Sequence, residues 1–270
     1  PEVRAISPYQ GEKDNFEVDI NLSGNESPFD LPQKIKDKFK EEFDRHDINR
    51  YPEIYSERLQ QKLASYLSKE LDKSVSTEEI IIGNGSDEIL DILIRSFIEP
   101  RDVVLSQTPT FSMYQYFTEL SGGQYEEVPL DDNFKFENLK AKIDKLEPKL
   151  IFLCSPNNPT GEIIPRELIL KLASYFSGPL IVDEAYADFN DFDLMPEVEN
   201  YPNLAVTRTF SKAFGLAGIR FGYLYGNQVL VEELKKVLKP YNLNSLTDML
   251  ACLIIENDDI IKERIEFIKS

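Results

Sequence analysis

The sequence predicts an α/β fold in three αβα layers, a mostly parallel β-sheet covered by helices on both faces. Two observations carry this. From residue 79 onward, short apolar runs recur at 80–82, 103–105, 150–154, 180–183, 204–207 and 219–225. Such near-continuous apolar runs suit strands buried on both faces. Candidate helices fall between many of them, at 86–97, 112–120, 136–146 and 165–176. Strands alternating with helices of that length build parallel sheets.

Before this alternation, residues 1–30 read as loops, because Ser7-Pro8-Tyr9-Gln10 and the stretch from Asn21 to Pro28 are Ser/Asn/Gly/Pro clusters. Amphipathic helices are expected at 32–43 and 57–70, the second with Leu59, Leu63, Tyr66 and Leu67 on one face, and a turn at Asn49-Arg50-Tyr51-Pro52 separates them. After Gly226 the pattern is helical, over 228–238 and from 246 onward. The last residues, 259–268, keep a helical period with no cap or breaker, so further chain is expected downstream. No internal repeat or low-complexity linker is visible.

The 270 residues can bury a sizeable core, one large domain plus accessory segments. Apolar content is 41%, no apolar run is long enough to span a bilayer, and no secretion signal opens the chain. Cys154 and Cys252 sit in apolar runs without metal spacing and read as reduced core residues of a cytoplasmic protein. A net charge of −18 argues against nucleic acid and anionic membranes as partners, yet permits an anionic small ligand held by a few arginines. The single histidine, His46, lies in a polar stretch. That argues against a His-based triad, and no metal site is expected.

The chemistry concentrates in the stretch from Thr207 to Arg220. Lys212 stands among small and hydroxylic residues, with Thr209 and Ser211 before it and Arg220 beyond. A lysine amine that loses its charge on desolvation can form a Schiff base with a carbonyl. The hydroxyls and the guanidinium suit a phosphate monoester. Pyridoxal 5′-phosphate carries both groups; a tight turn bearing a surface lysine is the competing explanation for this stretch alone. Gly83-Asn84-Gly85-Ser86-Asp87-Glu88 lies between a strand and a helix. It can present free N–H groups to a phosphate or simply cap the helix, with Ser86 as N-cap. Phe111 follows a strand at the ligand-binding edge and could stack on a planar ring or be a core residue. The run from Ser155 to Gly161 could be a rigid turn or could offer an asparagine amide to a phenolate oxygen. Asp183 ends an apolar strand and requires a cation or strong donor, which a protonated pyridine nitrogen would be. Tyr186, three residues on, can reach the same ring. A metal-binding acid or a capped strand end remains the alternative for Asp183.

Together these segments resemble the fold-type I pyridoxal-phosphate aminotransferases. Asn158-Pro159-Thr160-Gly161, Asp183 with Tyr186, and Ser211-Lys212 with Arg220 carry the match. Ser7–Gln10, Asn25-Glu26, Arg50-Tyr51-Pro52 and Pro240-Tyr241-Asn242 extend it towards the histidinol-phosphate aminotransferases. The resemblance implies a large domain around a seven-stranded sheet, with residues 1–45 as arm and small-domain part, 46–245 as the cofactor domain and 246–270 opening an incomplete small domain. It implies a homodimer in which Tyr51 reaches the phosphate held by the neighbouring subunit. By the same resemblance Lys212 holds the cofactor and moves the proton, Asp183 holds the ring nitrogen, and Tyr186 and Asn158 bond its O3′. Phe111 stacks on the ring, and Ser86, Asp87 (through its backbone), Thr209, Ser211 and Arg220 hold the phosphate. Tyr9 and Asn25 meet the substrate. The implied reaction, in histidine biosynthesis, converts histidinol phosphate and 2-oxoglutarate to imidazole acetol phosphate and glutamate. An aromatic amino-acid aminotransferase, a threonine-phosphate decarboxylase and an inactive cofactor-binding fragment stay open. Because the family's substrate-binding arginine in the C-terminal part is absent from these residues, the chain is expected to bind the cofactor but to transaminate poorly.

Overall fold

The computed structural model describes residues 22–131 and 133–270. Seven strands form one sheet: β1 (Ile80–Asn84), β2 (Val103–Thr108), β3 (Gln124–Pro129), β4 (Leu150–Cys154), β5 (Leu180–Asp183), β6 (Leu204–Thr209) and β7 (Phe221–Gly226). Their order is β1-β7-β6-β5-β4-β2-β3. β7 runs antiparallel to both its neighbours, and all other pairings are parallel.

Each central strand feeds both layers of core, as the unbroken apolar runs require. Ile151 and Leu153 of β4 face one cluster, and Leu150, Phe152 and Cys154 the other. In β5, Leu180 and Val182 oppose Ile181 in the same way. The first cluster is covered by α1 (Gln33–Phe43), α2 (Glu57–Glu70), α5 (Phe136–Leu146), α6 (Arg166–Tyr175), α8 (Ser245–Ile255) and α9 (Asp258–Lys269). The second is covered by α3 (Gly85–Phe97), α4 (Met113–Leu120) and α7 (Gln228–Lys235).

Three expectations needed adjustment. β3 escaped notice because it is an edge strand, Gln-Tyr-Glu-Glu-Val-Pro, whose only neighbour is β2 and whose one buried residue is Val128. Half-solvated edges keep charged and proline residues, so no apolar run marks them. The last strand begins at Phe221, and Ala217–Ile219 instead form a short 3-10 turn. Ser86 is not the N-cap of α3: Asn84 takes that place, and Ser86 sits in the first turn.

This topology makes the site. β1, β2, β4, β5 and β6 all end at one edge of the sheet. Because β7 is antiparallel, its beginning lies at that edge too, with Asn84 opposite Phe221 and Thr209 opposite Gly222. Adjacent strands β2 and β4 send their following helices, α4 and α6, to opposite faces. A crevice opens where such paths diverge.

Candidate active site

The crevice is a cavity of about 430 Å³ at the strands' carboxyl edge. One end of it is built where β1 turns into α3. Gly85 has φ +76°, and a Cβ there would lie 2.6 Å from the Arg220 guanidinium. Gly222 admits the first turn of α3 equally closely, since a Cβ would meet the Ser86 nitrogen at 2.5 Å. These two glycines press the start of α3 against Arg220, and Ser86 and Asp87 line the cavity from that turn. The first N–H groups of a helix lack intrahelical partners and attract anions. Arg220 itself holds φ +55°, strained for a residue with a side chain. Its guanidinium donates to Asp87 Oδ2 at 2.8 Å and to Ser211 Oγ at 3.4 Å. Thr209 Oγ1 accepts from the Ser211 N–H at 3.1 Å, which fixes the turn ahead of Lys212.

At the opposite wall Asp183 is 3% exposed. Its Oδ2 accepts the Tyr114 hydroxyl at 2.7 Å and its Oδ1 accepts the Ala185 N–H at 3.1 Å. Burial pushes its carboxyl above the ordinary range, against the lowering effect of these donors. Tyr186 Oη accepts from Asn25 Nδ2 at 3.0 Å, which joins residues 22–31 to this wall. Lys212 follows β6, the strand between β5 and β7, its Nζ donating to the Gly24 carbonyl at 2.7 Å and standing 5.8 Å from the Tyr186 ring centre. Burial lowers its pKa, Arg220 adds to that, and Glu26 and Asp87 oppose it.

The two adjacent asparagines divide their roles. Asn158 lines the cavity, as Phe111 does from the β2 side. Asn157 is buried and ties the two loops together. Its Oδ1 accepts from Thr110 Oγ1 at 2.9 Å and Gln107 Nε2 at 3.2 Å, and its Nδ2 donates to the Pro109 carbonyl and to Thr160 Oγ1, each at 2.9 Å. Removing it breaks four hydrogen bonds, three of them to residues 107–110 and one of those to the buried Gln107, so Asn157→Ala should cost about 3 kcal/mol of unfolding free energy in a urea titration. Asn158→Ala should cost little stability. Equal losses in the two variants would refute this division.

Of the sequence-predicted residues, Asn25, Ser86, Asp87, Phe111, Asn158, Asp183, Tyr186, Thr209, Ser211, Lys212 and Arg220 share the cavity lining. Tyr51 does not: it is 82% exposed and stacks on Tyr241, with ring centres 4.7 Å apart. Tyr9 and the other residues of 7–10 lie outside the described residues. Sequence reasoning missed Tyr114, Asn157 and Arg208. Arg208 is held by Glu184 at 2.7 Å, Asp193 at 3.0 Å and Asp188 at 3.5 Å. Burial disfavours its charge, but the carboxylates, Glu184 foremost, more than offset this. The pairing locks β6 to the loop after β5, outside the cavity.

A profile of the aminotransferase class I and II family matches residues 17–270. A curated histidinol-phosphate aminotransferase from Pyrococcus furiosus is 40% identical over 268 residues, which cover 99% of this chain and 76% of the relative. The one from Bacteroides thetaiotaomicron is 38% identical, over 100% of this chain and 73% of its own length. Among solved structures, histidinol-phosphate aminotransferase from Sinorhizobium meliloti in complex with pyridoxal-5′-phosphate superposes with TM-score 0.80 at 25% identity. That match covers 90% of this chain and 65% of that one. Thermus thermophilus aspartate aminotransferase with maleate shares the fold, with TM-score 0.79 at 22% identity over 92% of this chain and 68% of its own. Agreement in sequence along nearly the whole chain, and in sheet and layers with solved members, places the relationship beyond the fold alone: the chain belongs to the class I and II aminotransferases.

Proposed function

We propose that the chain is a pyridoxal-phosphate-dependent transaminase acting on L-histidinol phosphate and 2-oxoglutarate, to give imidazole acetol phosphate and glutamate. The observation that carries the cofactor is Asp183, and the substrate follows the histidinol-phosphate aminotransferases that the chain resembles. Asp183 is a buried carboxylate with neutral donors, and among the described residues no cation pairs with it, yet it lines the same cavity as Lys212 and Arg220. A buried anion in that state calls for a positive group from the ligand. A lysine biased towards its neutral form calls for a carbonyl, and the guanidinium beside a helix start calls for a phosphate. Pyridoxal 5′-phosphate satisfies all three, so the residues fit the group.

When bound, pyridoxal 5′-phosphate supplies a carbonyl that takes up the amino group and a ring that accepts an electron pair. Lys212 Nζ would anchor that carbonyl carbon until the substrate's amine replaces it there, and the amine so freed would take the proton of the substrate's amine-bearing carbon and return it to the former carbonyl carbon. Asp183 holds a proton on the ring nitrogen. Tyr186 Oη and the Asn158 amide orient the ring oxygen, and Phe111 covers one ring face. Arg220, Ser211, Thr209 and the N–H groups of Ser86 and Asp87 fix the phosphate. Asn25, bonded to Tyr186, stands where the substrate enters, and Tyr9 is proposed to join it.

We further propose a homodimer. The exposed Tyr51–Tyr241 pair, which does not line the chain's own cavity, supports a role at the site of a second copy. Histidinol phosphate, 2-oxoglutarate and glutamate are the proposed small-molecule partners, and a cytoplasmic setting is proposed. No helix among the described residues is long and apolar enough to cross a membrane. The division at residues 45 and 245 into arm, cofactor domain and small-domain part is likewise proposed.

Two measurements test the reading. Incubation with 2-oxoglutarate and either histidinol phosphate or phenylalanine should give glutamate much faster with the first. Preference for phenylalanine, or carbon dioxide release from threonine phosphate, would replace it with another member activity. The second reads Lys212 directly. Only the neutral amine attacks a carbonyl, so borohydride-trapped pyridoxyl label on Lys212 should rise with pH and reach half-maximum below the ordinary lysine value of 10.5, because burial lowers this pKa. A midpoint at or above that value would show that the cavity does not favour the free amine.

A further inference from the structure

Tyr114 is a buried group in contact with the site that the mechanism above leaves without a role. It lies one residue into α4, fully buried, with its hydroxyl 2.7 Å from Asp183 Oδ2. Its position is fixed from two sides. The ring stacks on Phe152 at 4.9 Å with planes 9° apart, and Phe111 meets it edge-on at 5.8 Å. Thr118 Oγ1 donates to the Tyr114 carbonyl at 2.6 Å. Such a hydroxyl has little freedom to point elsewhere.

The chemistry of the pair gives that geometry a consequence. A buried carboxylate facing a protonated ring nitrogen has two forms: an ion pair, or a neutral pair with the proton moved to oxygen. Low dielectric favours the neutral pair, and a donor on the carboxylate favours the ion pair. A lysine or arginine in this place would cancel the charge that holds the proton on nitrogen. A phenol stabilises the anion and leaves its charge intact. Burial and the neighbouring Asp183 push the Tyr114 phenol well up, so it remains a donor at every working pH. The Cys154 thiol beside it, pushed up to about 12 by burial, adds no charge.

We propose that Tyr114 is a positioning residue for the reaction: its hydroxyl keeps Asp183 an anion, so that the proton of the carboxylate–ring-nitrogen pair stays on nitrogen. The inference rests on the reading of the cavity as a pyridoxal-phosphate site. The test loads the chain with pyridoxal 5′-phosphate carrying ¹⁵N in the ring and follows the nitrogen chemical shift. The unaltered chain should show the pyridinium position and Asp183→Asn the neutral pyridine position. Tyr114→Phe keeps the stacked ring and removes only the donor. It should move the signal towards neutral pyridine, with cofactor retained and kcat lower by about tenfold, the scale of one hydrogen bond to a charged group. Tyr114→His retains a planar ring with an N–H donor and should hold the signal nearer the pyridinium position than Tyr114→Phe does. In the Asp183→Asn background, Tyr114→Phe should add no further shift.

A nitrogen signal in Tyr114→Phe that stays at the unaltered position overturns the proposal, whatever happens to the rate. A Tyr114→His chain that binds the cofactor yet loses the proton fully overturns it as well, and does so even if the phenylalanine variant fails to fold. If Asp183→Asn itself leaves the signal unmoved, or the unaltered chain takes up no cofactor, the reading of the site fails first and the inference falls with it.

Discussion

Lys212→Ala should reduce kcat/KM by at least about four powers of ten, because one side chain supplies both covalent anchoring and proton transfer. The geometry ties both roles to one nitrogen. Lys212 follows β6, which lies between β7, where Arg220 stands, and β5, which ends at Asp183; all three residues line the cavity, and burial biases the lysine towards the neutral form. Loss of proton transfer alone accounts for roughly 10²–10⁴. The rest comes from losing the anchor, so the two losses together exceed either one. Lys212→Arg separates charge from chemistry. A guanidinium keeps the positive charge but is never deprotonated in a protein, so this variant should be as inactive as Lys212→Ala. Peptide mapping after borohydride reduction should find the pyridoxyl mass on Lys212 and in neither variant. A label on another lysine, or turnover within about tenfold of the unaltered chain in either variant, would remove Lys212 from the centre of the mechanism.

Most of this site was legible because each residue type carries its chemistry at a strand end. β4 and β5 read as buried strands from Leu-Ile-Phe-Leu-Cys and Leu-Ile-Val-Asp alone, and that reading placed Asp183 at the binding edge. What stayed hidden depended on contacts between distant parts of the chain. Nothing around Tyr114 marks it: it looks like one more apolar face residue of a helix. Its partner Asp183 is 69 residues away and meets it only once β2, β4 and β5 are adjacent. Asn157 and Asn158 are neighbours of identical type, and only the burial of one and the cavity contact of the other separate them. Arg220 was recognisable as an anion ligand. What brings it opposite Gly85 is the antiparallel run of β7, and a mostly parallel pattern does not announce a reversed strand. β3 was invisible for the opposite reason, since an edge strand's solvent face must be polar.

Asp183→Asn is the complementary experiment, since it removes a charge while nearly preserving shape. The amide oxygen can still accept the Tyr114 hydroxyl, so the wall of the cavity should stay in place. What disappears is the anion that holds a proton on the ring nitrogen. Breaking such a buried pair costs on the order of 3–5 kcal/mol, which is roughly two to four powers of ten in kcat. Cofactor should remain bound, because the Arg220 end and Lys212 are untouched. Stability should respond with the opposite sign. Burial raises the Asp183 carboxyl in the folded chain, so the folded state binds this proton more tightly than the unfolded one. Stability from this group is therefore present at low pH and is lost as pH rises from the ordinary carboxylate range through the raised folded value. Above that raised value the cofactor-free chain carries the full cost of a buried anion. The amide removes that cost, so cofactor-free Asp183→Asn should melt at the same temperature as the unaltered chain or higher, the usual trade of stability against function at a site. A scaffolding carboxylate would behave otherwise: its removal would lower the melting temperature and leave turnover near normal. That pair of results would make Asp183 a structural residue and take away the observation on which the proposed function rests.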